Sequence, residues 1–156
     1  MMTVLKAGAM APEVDSVDQH GNAFRLSGLR GKWVVLYFYP KDDTTGCRME
    51  ACAFRDNLSS IAAEGAVVVG VSVQDQHSHL QFAQHHGLTF QLVADEGKRI
   101  TRDYEVLGVL GLAKRVTYLI DPEGRIRDIY RSELRPESHV GYVRTRLREL
   151  KAHTPS

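Results

Sequence analysis

The fold of this chain is decided at residues 34–47, where an apolar run passes directly into a polar turn and a cysteine: Val34-Val35-Leu36-Tyr37-Phe38-Tyr39-Pro40-Lys41-Asp42-Asp43-Thr44-Thr45-Gly46-Cys47. The apolar part is rich in valine and aromatic residues, which predicts a strand buried on both faces of a sheet. A helical pattern begins at Thr44, so Cys47 lies in the first turn of the predicted helix. Unpaired N–H groups and the positive end of the helix dipole favour a thiolate at that position.

The rest of the chain predicts alternating strands and helices. The helix that starts at Thr44 is expected to run to residue 64 and to stop at Gly65, a residue suited to a C-cap. The remaining predictions are a strand at 66–73, a helix between Asp75 and Gly87, a short strand at 90–93, a short helix at 98–104, an apolar loop at 105–113, a hairpin of 115–120 and 125–131, and a closing helix from Pro136 to about residue 151.

This element order, β-α-β, helix, β-β-α, predicts an α/β protein with a thioredoxin-like fold. The expected architecture is a central mixed sheet flanked by helices, with the residues before 33 as an N-terminal extension. In such sheets the chemistry lies at the carboxyl ends of strands, and Cys47 follows such an end. With no linker-like stretch and no repeat, residues 1–156 are expected to form one domain.

Composition and charge exclude several classes of function. The net charge is +1 and the basic residues are scattered, so nothing favours a nucleic-acid partner. The longest apolar run is far shorter than the roughly 18 residues of a membrane-spanning helix, and residues 1–6 lack the apolar region of a secretory signal. Two cysteines five positions apart cannot supply the disulfides that stabilise a secreted domain. We therefore expect a reducing, cytoplasmic setting in which a disulfide is transient.

Residues 40–47 resemble the active-site signature P-x-x-x-T-x-x-C of the peroxiredoxins, with Pro40, Thr44 and Cys47 at the motif positions. Cys52 resembles the resolving cysteine of the peroxiredoxin Q group, also called bacterioferritin comigratory proteins. The resemblance continues through 50–56, returns at 115–121, and covers most of the chain.

Two residues depart from the family pattern. Thr45 stands where most members carry a proline, and Tyr118 stands where phenylalanine is usual. A proline would fix φ near the start of the helix, so its loss is expected to loosen this turn and leave the chemistry unchanged.

The resemblance implies a thiol peroxidase that reduces hydrogen peroxide and organic hydroperoxides without a cofactor or a metal. Cys47 would be oxidised to a sulfenic acid, Cys52 would form an intramolecular disulfide with it, and thioredoxin or a similar dithiol protein would reduce that disulfide. Arg115 would stabilise the thiolate, Thr44 would offer its hydroxyl to the peroxide, and Pro40 would shield the thiolate from water. The sequence leaves open whether the chain is a monomer or a weak homodimer.

Helix geometry constrains the implied disulfide. In an intact helix, residues five apart differ by about 7.5 Å in rise, which places their Cα atoms about 8.6 Å apart. A disulfide requires at most about 7 Å between Cα atoms. If Cys47 and Cys52 do bond, the first turns of this helix must therefore unwind.

Other interpretations remain open at this point. Cys47 and Cys52 could instead be inert thiols that serve only as small core residues. Arg115 could instead be an ordinary surface arginine. A peroxide-sensing redox switch would use the same residues as a peroxidase, and a protein thiol–disulfide oxidoreductase is disfavoured because C-x₄-C is not C-x-x-C. The histidines between residues 77 and 86 suggest a solvated helix face more than a metal site; they are His77, His79, His85 and His86.

Overall fold

A computed structural model describes residues 5–152, which form a five-stranded mixed sheet with helices packed on it, as the sequence predicts. The strands are β1 Asp15–Val17, β2 Ala23–Arg25, β3 Trp33–Phe38, β4 Ala66–Ser72, β5 Gln91–Ala94, β6 Val116–Ile120 and β7 Ile126–Arg131. The helices are α1 Thr45–Asp56, α2 Leu58–Ala63, α3 Gln76–His86, α4 Arg99–Asp103 and α5 Ser138–Ala152.

Strand β3 is the centre of the sheet, whose order is β5-β4-β3-β6-β7. It pairs parallel with β4 and antiparallel with β6, so that Val35 lies between Val68 and Leu119. Strands β1 and β2 form a separate hairpin, followed by a 3₁₀ turn at Leu26–Leu29, and this is the predicted N-terminal extension. The central position explains why β3 is apolar throughout.

Alternate residues of β3 supply two hydrophobic cores, one on each face of the sheet. Trp33, Val35 and Tyr37 pack with residues of α1, α2, α3 and α5. Val34 and Leu36 pack on the opposite face with α4 and the N-terminal segment. Because successive side chains of a strand point to opposite faces, a strand between two cores must be apolar at every position.

The helix expected over 44–64 is broken, and its continuity was predicted wrongly. Asn57 separates α1 from α2, with backbone angles of φ −110° and ψ 10°. Its side-chain Nδ2 donates to the carbonyl of Ala53 at 2.8 Å, and its Oδ1 accepts from Arg144 of α5 at 3.0 Å. An asparagine that bonds the backbone in this way competes with the helical hydrogen bonds, which ends α1 at Asp56.

The start of the closing helix also differs from the sequence-based expectation. Pro136 precedes the closing helix, because residues 135–138 form a separate turn in which Ser138 N donates to Arg135 O at 3.0 Å. The loop at 105–113 packs only in part, since Val106 is buried while Val109 and Leu110 are exposed. Among residues 5–152, no helix is long and apolar enough to cross a membrane.

Candidate active site

Cys47 is the third residue of α1, just beyond the carboxyl end of β3, and its side chain is free and only 1% exposed. Thr44 is the N-cap, with an extended backbone, and its carbonyl accepts the first helical bond, from Arg48 N at 2.9 Å. The N–H groups of the residues between them have no carbonyl one turn earlier to bind. The thiol therefore lies at a helix start that favours negative charge.

Arg115 reaches Cys47 because β6 runs antiparallel to β3. Phe38, the last residue of β3, pairs with Val116, the first residue of β6. Arg115, which precedes β6, therefore lies at the edge of the sheet from which the chain continues to Cys47. Its NH1 group donates to Cys47 Sγ at 3.5 Å. Burial disfavours its charge, but the electrostatic effects of Glu50 and Cys47 and their hydrogen bonds to it outweigh burial and raise the pKa of Arg115. Arg115 is thus a permanent cation against the sulfur.

Glu50 and His139 belong to the same site and were not predicted from the sequence. Glu50 Oε1 accepts from Arg115 NH1 at 2.7 Å, and Glu50 Oε2 lies 3.6 Å from His139 Nδ1. Both side chains have no exposed surface. The spacing of Cys47 and Glu50, one helical turn apart, was a signal that the two share a face of α1. Nothing in the sequence indicates that α5 brings a histidine to them.

Thr44 and Pro40, two residues of the predicted site, lie in the turn that precedes α1. The Thr44 hydroxyl donates to Lys41 O at 2.8 Å and makes no capping bond to the helix N–H groups, although Thr44 is the N-cap residue. Thr44 is exposed and Pro40 is half-buried. The carbonyl of Pro40 accepts from Gln74 Nε2 at 3.3 Å, which links this turn to the segment after β4.

Gly46 is the residue that allows Arg115 to approach the helix start. A Cβ atom at this position would lie 3.0 Å from Arg115 NH2 and 3.2 Å from Pro136 Cγ. Both distances are shorter than ordinary van der Waals contact, so a larger side chain would have to displace the guanidinium or the proline. An alanine at position 46 would therefore require the Arg115 guanidinium or the Pro136 ring to move by a few tenths of an ångström.

His79 is buried, which contradicts the expectation that the histidines of α3 form a solvated face. Its Nδ1 lies 2.6 Å from Asp42 Oδ2 and its Nε2 lies 3.1 Å from Val93 O. The carboxylate of Asp42 also accepts from Tyr39 OH at 2.6 Å and from Ser78 Oγ at 2.8 Å. These bonds anchor the turn between β3 and α1 to α3, because burying Asp42 requires partners for its oxygens.

The exposed end of α3 holds the same turn from outside. His86 Nε2 lies 3.0 Å from Asp43 Oδ1, and His85 Nδ1 lies 3.4 Å from Asp43 Oδ2. Asp43 has a φ of +61°, an uncommon value for a residue with a side chain. Within the described part of the chain, no cluster of three or more histidine, cysteine, aspartate or glutamate side chains is arranged to hold a metal.

Three buried polar atoms of the described residues have no hydrogen-bond partner, and all three belong to this site. They are Tyr37 OH, Glu50 Oε2 and Arg115 Nε. Burial, followed by the electrostatic effects of Glu50 and Cys47, raises the pKa of Tyr37 well above its usual range, so its hydroxyl stays neutral. Unpaired buried groups are rare, and such groups occur at positions with a catalytic role.

Cys52 lies on the same helix as Cys47 but faces a different environment. It is half-buried and lines an open groove of about 350 Å³ together with Thr45, Arg48 and Met49. Since α1 is continuous from Thr45 to Asp56, both cysteines occupy one intact helix in this form. Their Cα atoms are then too far apart for a disulfide, as the sequence geometry indicates.

Comparison with known proteins agrees with this geometry. Residues 7–129 match the model of the AhpC/TSA family. The chain belongs to the AhpC/TSA family. The predicted resemblance to the peroxiredoxin Q group is also confirmed: the chain is 41% identical over 136 residues to "Peroxiredoxin Q, chloroplastic" of Triticum aestivum, across 86% of this chain and 63% of that relative. The chain thus spans a little under two thirds of the length of such curated relatives.

Solved structures of family members have the same fold. Peroxidoxin BcpB of Mycobacterium tuberculosis matches with a TM-score of 0.87 and 32% identity, over 94% of this chain and 98% of that one. A Xanthomonas campestris bacterioferritin comigratory protein, described for its alkyl peroxide reduction activity, matches with a TM-score of 0.85 and 28% identity, over 93% and 99% of the two chains. The predicted thioredoxin-like α/β fold is thereby confirmed.

Proposed function

We propose that this protein is a thiol-dependent peroxidase that reduces hydrogen peroxide and organic hydroperoxides. The observation that carries the proposal is the contact of Arg115 NH1 with Cys47 Sγ at 3.5 Å, at the start of α1. An ordinary thiol is only a few per cent ionised near neutral pH, so a peroxidase must favour the thiolate. A helix start and a permanent cation favour it together, and family membership agrees with this assignment.

The first chemical step is attack of the Cys47 thiolate on one peroxide oxygen. The S–O bond forms as the O–O bond breaks, sulfur is oxidised to a sulfenic acid, and the leaving oxygen takes a proton to become water or an alcohol. In the proposed step, the second guanidinium edge of Arg115 and the N–H groups of Gly46 and Cys47 stabilise charge on the two oxygens. The Thr44 hydroxyl, which donates its proton to Lys41 O, accepts a hydrogen bond from the peroxide, and Pro40 limits access of water.

The second step joins Cys47 and Cys52. The thiol of Cys52 attacks the sulfenic sulfur, the S–S bond forms, and the hydroxyl leaves as water with the thiol proton. This step requires the first turns of α1 to open, because the two residues are too far apart in the intact helix. A dithiol protein such as thioredoxin then reduces the disulfide and returns both cysteines to their starting state.

The test is steady-state consumption of peroxide by wild type and Cys47→Ser with thioredoxin and its reductase. The peroxidase assignment predicts many turnovers by wild type and none by Cys47→Ser. Consumption of a single equivalent by wild type, with no turnover whatever dithiol is supplied, would point instead to a redox sensor read by a partner. Equal rates for the two proteins would contradict the role of Cys47.

The cytoplasmic location and the single domain over residues 1–156 stay predictions. A reducing compartment fits two cysteines that cycle, as in the cytoplasm, whereas the curated relatives are named chloroplastic. Fractionation of cells that express the protein would decide between these compartments.

A further inference from the structure

Glu50 is a buried carboxyl with too few donors for a carboxylate. Its side chain has no exposed surface, Oε1 accepts one bond from Arg115 NH1 at 2.7 Å, and Oε2 makes no hydrogen bond, with His139 Nδ1 3.6 Å away. A buried carboxylate oxygen without a donor is costly, and taking a proton lowers that cost, because burying a neutral polar group costs less than burying a charge. The geometry therefore favours the neutral acid in the folded site.

The groups that face Glu50 do not supply enough positive charge to ionise it. They come from its own helix, from β3, from the residues before β6, from the loop after β7 and from α5, and they are Cys47, Tyr37, Arg115, Glu133 and His139. Arg115 is the cation among them, and its NH1 also binds Cys47 Sγ. One guanidinium thus serves two groups that can each carry a negative charge.

His139 does not act as a second cation. Its Nε2 donates to Ser132 O at 2.9 Å, and its Nδ1 lies 2.7 Å from Thr117 Oγ1, which can donate to the neutral ring. Burial is the main reason that the pKa of His139 lies below its usual value. The ring is therefore neutral at pH 7, and Glu50 gains no ion pair from it.

Glu50 also lies between the two cysteines, inside the segment that must open for them to bond. We infer that Glu50 holds a proton while the start of α1 is folded and releases it when this segment opens, so that formation of the Cys47–Cys52 disulfide is coupled to ionisation of Glu50. The coupled change is Glu50–COOH in the folded segment to Glu50–COO⁻ in the open segment plus one proton to solvent. The disulfide reaction itself forms water from the sulfenic hydroxyl and the thiol proton and needs no further proton.

The direction of the pH effect follows from burial. Desolvation, opposed by Arg115, raises the pKa of Glu50 from 4.5 to about 8 in the folded site, and exposure in the open segment removes that cause. The folded segment then binds more protons than the open one between these two values, so its stability falls as pH rises. The opening equilibrium is expected to increase up to about tenfold per pH unit in this interval.

This coupling has a consequence for oxidative damage. At low pH the segment stays folded, disulfide formation slows, and the sulfenic acid of Cys47 remains available to a second peroxide, which converts it to sulfinic acid. At higher pH the segment opens sooner and Cys52 protects Cys47. This last consequence rests on the proposed function, whereas the coupling of opening to Glu50 does not.

The test is amide hydrogen exchange against pH, corrected for intrinsic exchange, without peroxide. Both proteins carry Cys47→Ser, which leaves Glu50 as the acidic group in contact with Arg115 NH1. With Glu50 present, the opening of residues 46–53 should rise up to about tenfold per pH unit between about pH 5 and 7.5. With Glu50→Gln, which keeps an acceptor for Arg115, it should not depend on pH. Glu149→Gln, at an exposed position of α5, should keep the slope.

Equal slopes with and without Glu50→Gln would overturn the inference, as would a flat profile while Glu50 is present. If the double variant fails to fold, infrared difference spectra of the wild-type protein at about pH 6 replace it. The disulfide form should then lack a protonated-carboxyl band that the reduced form contains. An unchanged carboxyl region would contradict the release of a proton, whatever the peroxidase activity.

Discussion

At the scale of single residues, the site depends on where one guanidinium lies. Arg115 NH1 joins Cys47 Sγ and Glu50 Oε1, and the side chain is buried. Arg115→Ala is expected to lower the thiolate fraction at neutral pH and to slow peroxide reduction by about 10²-fold, the usual cost of losing one charge-stabilising donor. Thiolate absorbance and stopped-flow kinetics in a Cys52→Ser background measure both effects. Arg99→Ala, at an exposed position of α4, should change neither.

Substitution of Gly46 tests whether the peroxide reaction needs the guanidinium of Arg115 at its observed position. Gly46→Ala would place a Cβ atom 3.0 Å from Arg115 NH2, so we expect the guanidinium to shift and the peroxide reaction to slow at least several-fold. Gly141 is the matched control, since it also lies in a helix and a Cβ there meets nothing within 4 Å. Gly141→Ala should leave the rate unchanged and add about 0.5–1 kcal/mol to stability. Equal kinetics for the two variants would contradict the packing argument.

The sequence indicates these residues unequally. The motif and the family resemblance point to Cys47 and Arg115, and the structure brings the two into contact. The place of Glu50 and His139 in the site could not be predicted from the sequence, because their burial depends on how α1, β6 and α5 pack together. The same reason explains why His79 was assigned to a solvated face. The polar sequence of α3 does not indicate that one of its histidines binds a buried aspartate.

At the scale of elements, helix α1 carries both cysteines, so its stability affects the chemistry directly. The sequence predicts a helix through both cysteines, and the structure has them in one helix, but the break at Asn57 depends on a side chain that bonds both the backbone and α5. That break leaves α1 short. Opening of its first turns can therefore leave α2 packed on β4.

Oxidation is expected to expose the start of α1 and leave the sheet intact. The Cα separation of about 8.6 Å must shrink to at most about 7 Å, and helix starts open easily because their first N–H groups lose no partner. In hydrogen exchange on the disulfide form, protection should be lost at residues 46–53 and kept in β4. Full protection of 46–53 with the disulfide present would mean that the segment is not a continuous helix when the bond forms.

Thr45 offers a way to slow that opening. Thr44 has an extended backbone and Thr45 is the first residue of α1, so a proline fits at position 45 without strain. Thr45→Pro is expected to stabilise the folded start by about 0.4–1 kcal/mol, which slows disulfide formation about two- to fivefold. Quenched-flow trapping of free Cys52 after peroxide addition measures this rate. A faster rate in the variant would contradict local opening as the limiting motion.

At the scale of the whole molecule, the apolar run of β3 organises both cores, and for this reason its pattern was sufficient to predict the sheet. The turn that follows is anchored by Asp42, whose carboxylate binds Tyr39, Ser78 and His79. Asp42→Asn should leave some of these partners unpaired and lower the free energy of unfolding by about 1–3 kcal/mol in denaturant titration. Asp103→Asn, at an exposed ion pair with Arg99, should cost less than about 1 kcal/mol.

The most direct test of the central claim is the mass of the protein after one equivalent of peroxide. Wild type should lose two hydrogen atoms, and peptide mapping should place a disulfide between Cys47 and Cys52. Cys52→Ser should instead gain one oxygen, on Cys47, in a form that a sulfenic-acid reagent captures. Oxidation that appears first on Cys52, or wild type that remains fully reduced, would contradict the account.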